Sequence, residues 1–260
     1  MSFNKRLSRI VLVTFVGWIS SQSVLAGAPE ETATIKVTFK WQGKPPAPKP
    51  AAVAGQFCGQ QKHNDETFVV NPTNNGIKNI FLYVYTGRRG TKLPDFELQP
   101  QTVELDNKNC RFEPHAVFLR VGDTLRVKNS DPVGHNVNIA FFKNRQMGVM
   151  VPANQPLDFE MTAAEPAVVP AECNIHPWMR ARVLVLEHPF AAISDADGVC
   201  QIEGLPAGQK IYFRVNHESL NNSFESIKVN GKQEGWKKNR FELTLKPGMN
   251  DLGTVELPWE

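Results

Sequence analysis

Two short stretches hold residues whose types and spacing can do chemistry. Gly134-His135-Asn136-Val137 offers one imidazole. Thirty-eight residues beyond His135, Cys173-Asn174-Ile175-His176-Pro177-Trp178-Met179 sets Cys, His and Met at C-x2-H-x2-M spacing. A thiolate, two imidazoles and a thioether make a soft nitrogen-and-sulfur donor set, and two His with one Cys and a weak axial Met is the type-1 copper pattern. Zinc accepts Cys and His but favours a fourth strong ligand or a water over a thioether. Iron–sulfur clusters need more thiolates, and the c-type haem signature C-x-x-C-H is absent. Taken singly, His135 reads as a solvated side chain, Cys173 as half of a disulfide and Met179 as core. Their joint order and spacing favour a metal.

Pro177 interrupts any regular element, so 173–179 must be a loop, and it joins strand candidates at Ala167–Pro170 and Arg180–Glu187. A further strand candidate, His135–Phe142, can carry His135 to the same point. Thr102–Leu105, His115–Val121, Thr124–Lys128 and Leu157–Met161 complete a series of short strands at regular spacing, which predicts an all-β sandwich or barrel over 101–187. Upstream, Thr34–Trp41 alternates Ile35, Val37 and Phe39 on one face, a proline-rich break follows, Asn71–Gly76 is a turn, and Ile77–Tyr85 is rich in β-branched and aromatic residues. Downstream, Asp195–Gly198 is a turn, and Phe224–Val229, Phe241–Leu245 and Leu252–Leu257 read as strands. No segment sustains a helical period.

Arg111–Phe142, with its run FEPHAVFLRVGDTLRVKNSDPVGHNVNIAF, resembles the cupredoxin family in its plastocyanin form. CNIHPWM resembles the short C-x2-H-P-aromatic-M ligand loop of the amicyanin branch. The likeness covers about 101–187, a third of the chain. It implies a Greek-key cupredoxin β-sandwich holding one type-1 copper ion, with His135, Cys173, His176 and Met179 as ligands. It further implies that Asn136 ties the two ligand segments together. Pro177 and Trp178 are expected to form an apolar surface where the His176 edge meets solvent and a redox protein partner docks. The implied function is single-electron transfer. His115, beside Pro114, falls where the family carries no ligand, and His63, His188 and His217 have no partner spacing, so they read as surface or packing residues.

Ser194–Val215 (SDADGVCQIEGLPAGQKIYFRV) resembles the carboxypeptidase-regulatory, or transthyretin-like, β module. The fold expected is therefore all-β: a cupredoxin sandwich with a second, smaller sandwich-like module. The expected divisions are a signal peptide at 1–26, an N-terminal β segment at 27–100, the cupredoxin domain at 101–187 and the regulatory-like module at 188–260. The 27–100 segment either pairs with 188–260, so that the cupredoxin is an insertion, or is a separate extension. Insertion between nearby surface termini is physically tolerated.

Lys5, Arg6 and Arg9, an apolar run from Ile10 to Ile19 and the small-residue site Val24-Leu25-Ala26 form the layout of a secretory leader. The run is too short to span a bilayer, which takes about 20 residues. The expected location is periplasmic or secreted, with no membrane span in the mature chain. Beyond residue 26 there are 26 basic and 26 acidic residues, so bulk charge offers nothing to nucleic acid.

With Cys173 reserved as a thiolate, the loop cysteines Cys58 and Cys110 are the expected disulfide and Cys200 a buried free thiol; two disulfides without a metal is the alternative. There is no defensible Ser-His-Asp set, no H-E-x-x-H and no P-loop. The remaining histidines cannot build the further copper sites that multicopper oxidases and copper nitrite reductases require. An enzyme is not expected. The competing functions are a binding or adhesion module and a copper carrier.

Overall fold

Strand β1 (Thr32–Trp41) obeys the alternation of its sequence: Ala33, Ile35, Val37 and Phe39 are buried, and their neighbours along the strand are not. The computed structural model describes residues 31–219 and 224–257; the leader reading of 1–26 lies outside them. After β1 the proline-rich stretch makes only an isolated bridge, Pro50 to Asn64, and a short 3-10 turn at Cys58–Gln60. Strand β2 (Phe81–Val84) is buried on both faces. Sequence alone predicts one strand across Ile77–Tyr85, but the structure shortens it. Asn79 turns with φ 66°, and the Asn79 and Ile80 amides donate to the Ser194 carbonyl and Ser194 Oγ instead of to a ladder.

The next nine strands pair among themselves. They are β3 (Thr102–Lys108), β4 (Arg111–Glu113), β5 (Ala116–Arg120), β6 (Thr124–Asn129), β7 (His135–Ile139), β8 (Met147–Val151), β9 (Leu157–Glu160), β10 (Val169–Glu172) and β11 (Arg180–Leu186). One sheet runs β5-β11-β10-β7-β8 and the other β4-β3-β6-β9. Their inner faces share a core that includes Leu105, Phe112, Leu125, Val127, Ile139, Ala171 and Val183. Two of the pairings, β3 with β6 and β5 with β11, are parallel. Strand β10 lies two residues later than the Ala167–Pro170 expectation. This carries its ladder up to the residue before Cys173, with Glu172 opposite Asn138. Strands β4 and β8 escape the sequence reading, β4 by its length and β8 because Met147-Gly148-Val149-Met150-Val151 lacks a clean alternation.

The chain then forms β12 (Ala191–Ile193), β13 (Val199–Pro206), β14 (Lys210–Asn216), β15 (Phe224–Val229), β16 (Lys232–Trp236), β17 (Arg240–Thr244) and β18 (Gly248–Leu257). These join the two earliest strands in sheets ordered β13-β1-β18-β15-β16 and β12-β2-β14-β17. Ile35 lies opposite Ile202, Val37 opposite Cys200 and Phe39 opposite Val255. A second core results, joining Ile35, Val37 and Phe39 to Leu82, Val84, Phe213 and Val255. The protein is all-β, two layered sandwiches in one chain. The Asp195–Gly198 turn closes against β1: Gly198 has φ +80°, and a Cβ there would stand 2.1 Å from the Phe39 carbonyl oxygen, so only glycine fits.

The outer face of β2 meets the other sandwich. Phe81 and Tyr83 pack with Ala116, Leu184 and Leu186, which explains why β2 and the second half of β11, Val183–Leu186, are apolar and buried without interruption. A buried charge group crosses the same boundary. Glu218 accepts from His115 Nε2 and pairs with Arg182 at 2.8 Å.

Candidate metal centre

Strand β10 runs antiparallel to β7 with Glu172 opposite Asn138, so the chain leaving β10 at Cys173 heads toward the start of β7 at His135. The loop from Cys173 to Met179 folds back on itself. The Met179 amide donates to the His176 carbonyl at 2.8 Å and the Cys173 amide to the Met179 carbonyl at 3.2 Å. That turn brings the His176 ring over His135: the two Nδ1 atoms are 2.9 Å apart, with ring centroids separated by 4.6 Å. Cys173 Sγ lies 3.8 Å from His176 Nδ1, and ligand atoms of His135, Cys173 and His176 all fall within 4.8 Å of one another. Met179 is fully buried in the same core, at the far end of the loop. His63, His115, His188 and His217 belong to neither of the potential ligand groups among the described residues.

Asn136 sits between the two segments. Its Oδ1 accepts from the Asn174 amide at 2.8 Å and lies 3.4 Å from Cys173 Sγ. Burial pushes the Cys173 thiol up. Hydrogen bonds from the His135 ring and from the Asn136, His176 and Ile175 amides outweigh it, and the thiol is held below its ordinary value. Burial, with the neighbouring His135, lowers His176. Neutral imidazoles and an easily ionised thiol are the forms in which these groups bind a metal. The donor set is soft and dry, with His135 and Cys173 almost wholly buried, and it fits a copper ion.

One neighbour of the site was not legible in the sequence. Asp131 accepts from His135 Nε2 at 2.9 Å, a carboxylate four residues upstream brought round by a turn. The expected Cys58–Cys110 disulfide is present, its cysteines separated by 52 residues, and only its place beside the site was not foreseen. Cys58 Sγ stands 3.9 Å from His176 Nε2, so part of this half-buried imidazole's edge faces a disulfide. Trp178 packs on His176 with centroids 5.1 Å apart, and its Nε1–H donates to the Cys110 carbonyl. Pro177 and Ile175 remain exposed. An open groove of about 380 Å³, lined by Gly55, Gln56, Phe57, Val133 and His176, with no charged residue, runs alongside. Cys200 is a free, buried thiol.

No protein-family model and no curated protein matches this chain. Among solved structures it is similar over part of its length to amicyanin. A reduced variant with phenylalanine in place of a proline is 24% identical, with 32% of this chain and 81% of that one covered and a TM-score of 0.29. A reduced Cu(I) variant with glycine in place of a proline, at pH 4, is 25% identical over the same shares, with a TM-score of 0.28. An oxidised variant with leucine in place of a methionine is 24% identical over 32% and 80%, with a TM-score of 0.29.

Proposed function

We propose that this protein is an exported type-1 copper protein that carries single electrons between redox partners, with His135, Cys173, His176 and Met179 holding the ion. The observation that carries the reading is the convergence of two imidazole Nδ1 atoms and one thiol, from β7 and from the β10–β11 loop, at one buried point. Bound copper would supply a one-electron couple. The chain's own contribution is rigidity: the ligands sit on a closed sheet end and a self-bonded loop, so little needs to move when the charge changes. Asn136 and the loop amides hold Cys173 ready as a thiolate. Trp178, the groove beside His176 and exposed Ile175 offer an uncharged surface for a redox partner. The role is carriage rather than turnover of a substrate. The flanking sandwich is read as a carboxypeptidase-regulatory-like module built on Ser194–Val215. The secretory layout of residues 1–26 supports export, and a disulfide suits an oxidising compartment.

Copper titration with visible absorption tests this. The protein should bind one equivalent and turn blue or green through thiolate-to-copper charge transfer. Cys173→Ala should lose the colour. Met179→Leu should keep copper and most of the colour while the reduction potential rises, because Cu(II) loses a weak donor. A wild-type protein that stays colourless with copper overturns the reading.

A further inference from the structure

Asp131 is 4% exposed, and among the described residues no lysine or arginine pairs with it. Its carboxylate is instead filled by N–H donors from two directions. Oδ2 accepts from His135 Nε2 at 2.9 Å and from the Cys110 amide at 2.7 Å, and Oδ1 accepts from the Asn109 amide at 2.7 Å. Its own turn is pinned by Asn129, which accepts from the Asp131 amide and donates to the Val133 and Val151 carbonyls. The other end of the contact is unusual. Asn109 and Cys110 both have positive φ, 53° and 56°, in the tight turn joining β3 to β4. Such a pair favours Asn and Gly, and cysteine there persists only where surroundings hold it. What holds it is Asp131 on its amide and the disulfide to Cys58 on its side chain.

We propose that Asp131 is the positioning residue of the metal centre, a strut through which the disulfide-bonded Asn109–Cys110 turn fixes His135. An ionised carboxylate can only accept, so it keeps the proton on Nε2 and leaves the Nδ1 lone pair facing His176. A ligating imidazole backed by a carboxylate is a stronger donor. The negative charge also favours the more positive metal state. The disulfide therefore tunes the centre without touching the ion. This inference rests on the copper reading for its effect on potential, and on the protein alone for its effect on the imidazole.

Asp131→Asn is the decisive variant, because an amide keeps the shape, loses the charge and must turn an N–H₂ toward one of the three N–H donors. In the protein without metal, nitrogen NMR of His135 should give the Nε2–H tautomer for wild type and a mixture for Asp131→Asn, with Asp131→Glu nearer wild type. In the copper-loaded protein, Asp131→Asn should lower the Cu(II)-to-Cu(I) affinity ratio about tenfold, a rise in potential of about 59 mV. Cys58→Ala with Cys110→Ala should shift the potential in the same direction. Adding Asp131→Asn to that pair should give less than the sum of the two shifts, as for residues acting through one path. An unchanged tautomer in Asp131→Asn overturns the strut, and fully additive shifts overturn its link to the disulfide. A colourless wild type with the tautomer change present would sink the copper reading and leave the strut standing.

Discussion

His188 should make the fold acid-sensitive by an amount the structure sets. The ring is 2% exposed and uses both nitrogens: Nε2–H donates to the Val84 carbonyl at 3.0 Å, and Nδ1 accepts from the Phe190 amide at 3.2 Å. Burial holds its pKa down to about 4 from an ordinary 6.5, against the weaker opposing pull of the Val84 bond. A folded value below the unfolded one means that the unfolded chain binds more protons between the two. The contribution is therefore fully present above the unfolded pKa and is lost as the pH falls toward 4. Between about pH 7.5 and about pH 4.5 this one ring should remove about 2.5 kcal/mol, since each unit is worth about 1.4 kcal/mol. The assay is urea unfolding, without added metal, of wild type and His188→Asn at both pH values. The asparagine keeps an acceptor for the Phe190 amide and cannot titrate. It loses stability at neutral pH but should lose about 2.5 kcal/mol less than wild type on acidification. His217, also held down to about 4 by burial, titrates in both proteins and cancels in the difference. Equal acid losses in the two proteins would refute the argument that His188 folds neutral and stays so.

Ser194 Oγ accepts from the Ile80 amide at 2.8 Å and donates to the Ile77 carbonyl at 2.7 Å. Ser194→Ala should therefore destabilise by about 2 kcal/mol in thermal unfolding and speed hydrogen exchange at the Ile80 amide. Gly198→Ala should destabilise by about 3 kcal/mol, through positive φ and the clash with Phe39. A variant with the melting temperature of wild type would show that the turn has room to relax.

The parts of the site that a sequence can display are those set by local geometry. Cys173, His176 and Met179 are close because a seven-residue loop folds on itself, and spacing alone exposes that. His135 joins them through a strand pairing whose apolar alternation is visible. Asp131, and the place of the disulfide against His176, stayed hidden for a different reason. A buried carboxylate whose partners are backbone amides on another hairpin has no pattern along the chain, and Cys58 reaches His176 across 118 residues. Ile77–Tyr85 shows the converse error. Its β-branched content was legible, but Ser194 Oγ and the positive φ of Asn79 decided where the ladder begins. Asn136 was placed by family resemblance, and its bond to the Asn174 amide gives that placement a physical cause.

The position of β1 between β13 and β18 fixes an order of events during synthesis. Its antiparallel partner begins at Val199, about 160 residues later, and its parallel partner later still. Strands β3 to β11 find all their ladder partners among themselves, so the metal-site sandwich can close while Ile35, Val37 and Phe39 are still unpaired. For that interval β1 is an open strand able to pair with another nascent chain. Lys36 and Lys40 on its alternate face, and the prolines from Pro45 to Pro50 just after it, are the residue types that discourage such pairing. The first strand made is thus among the last to be satisfied, and the wait is built into the topology.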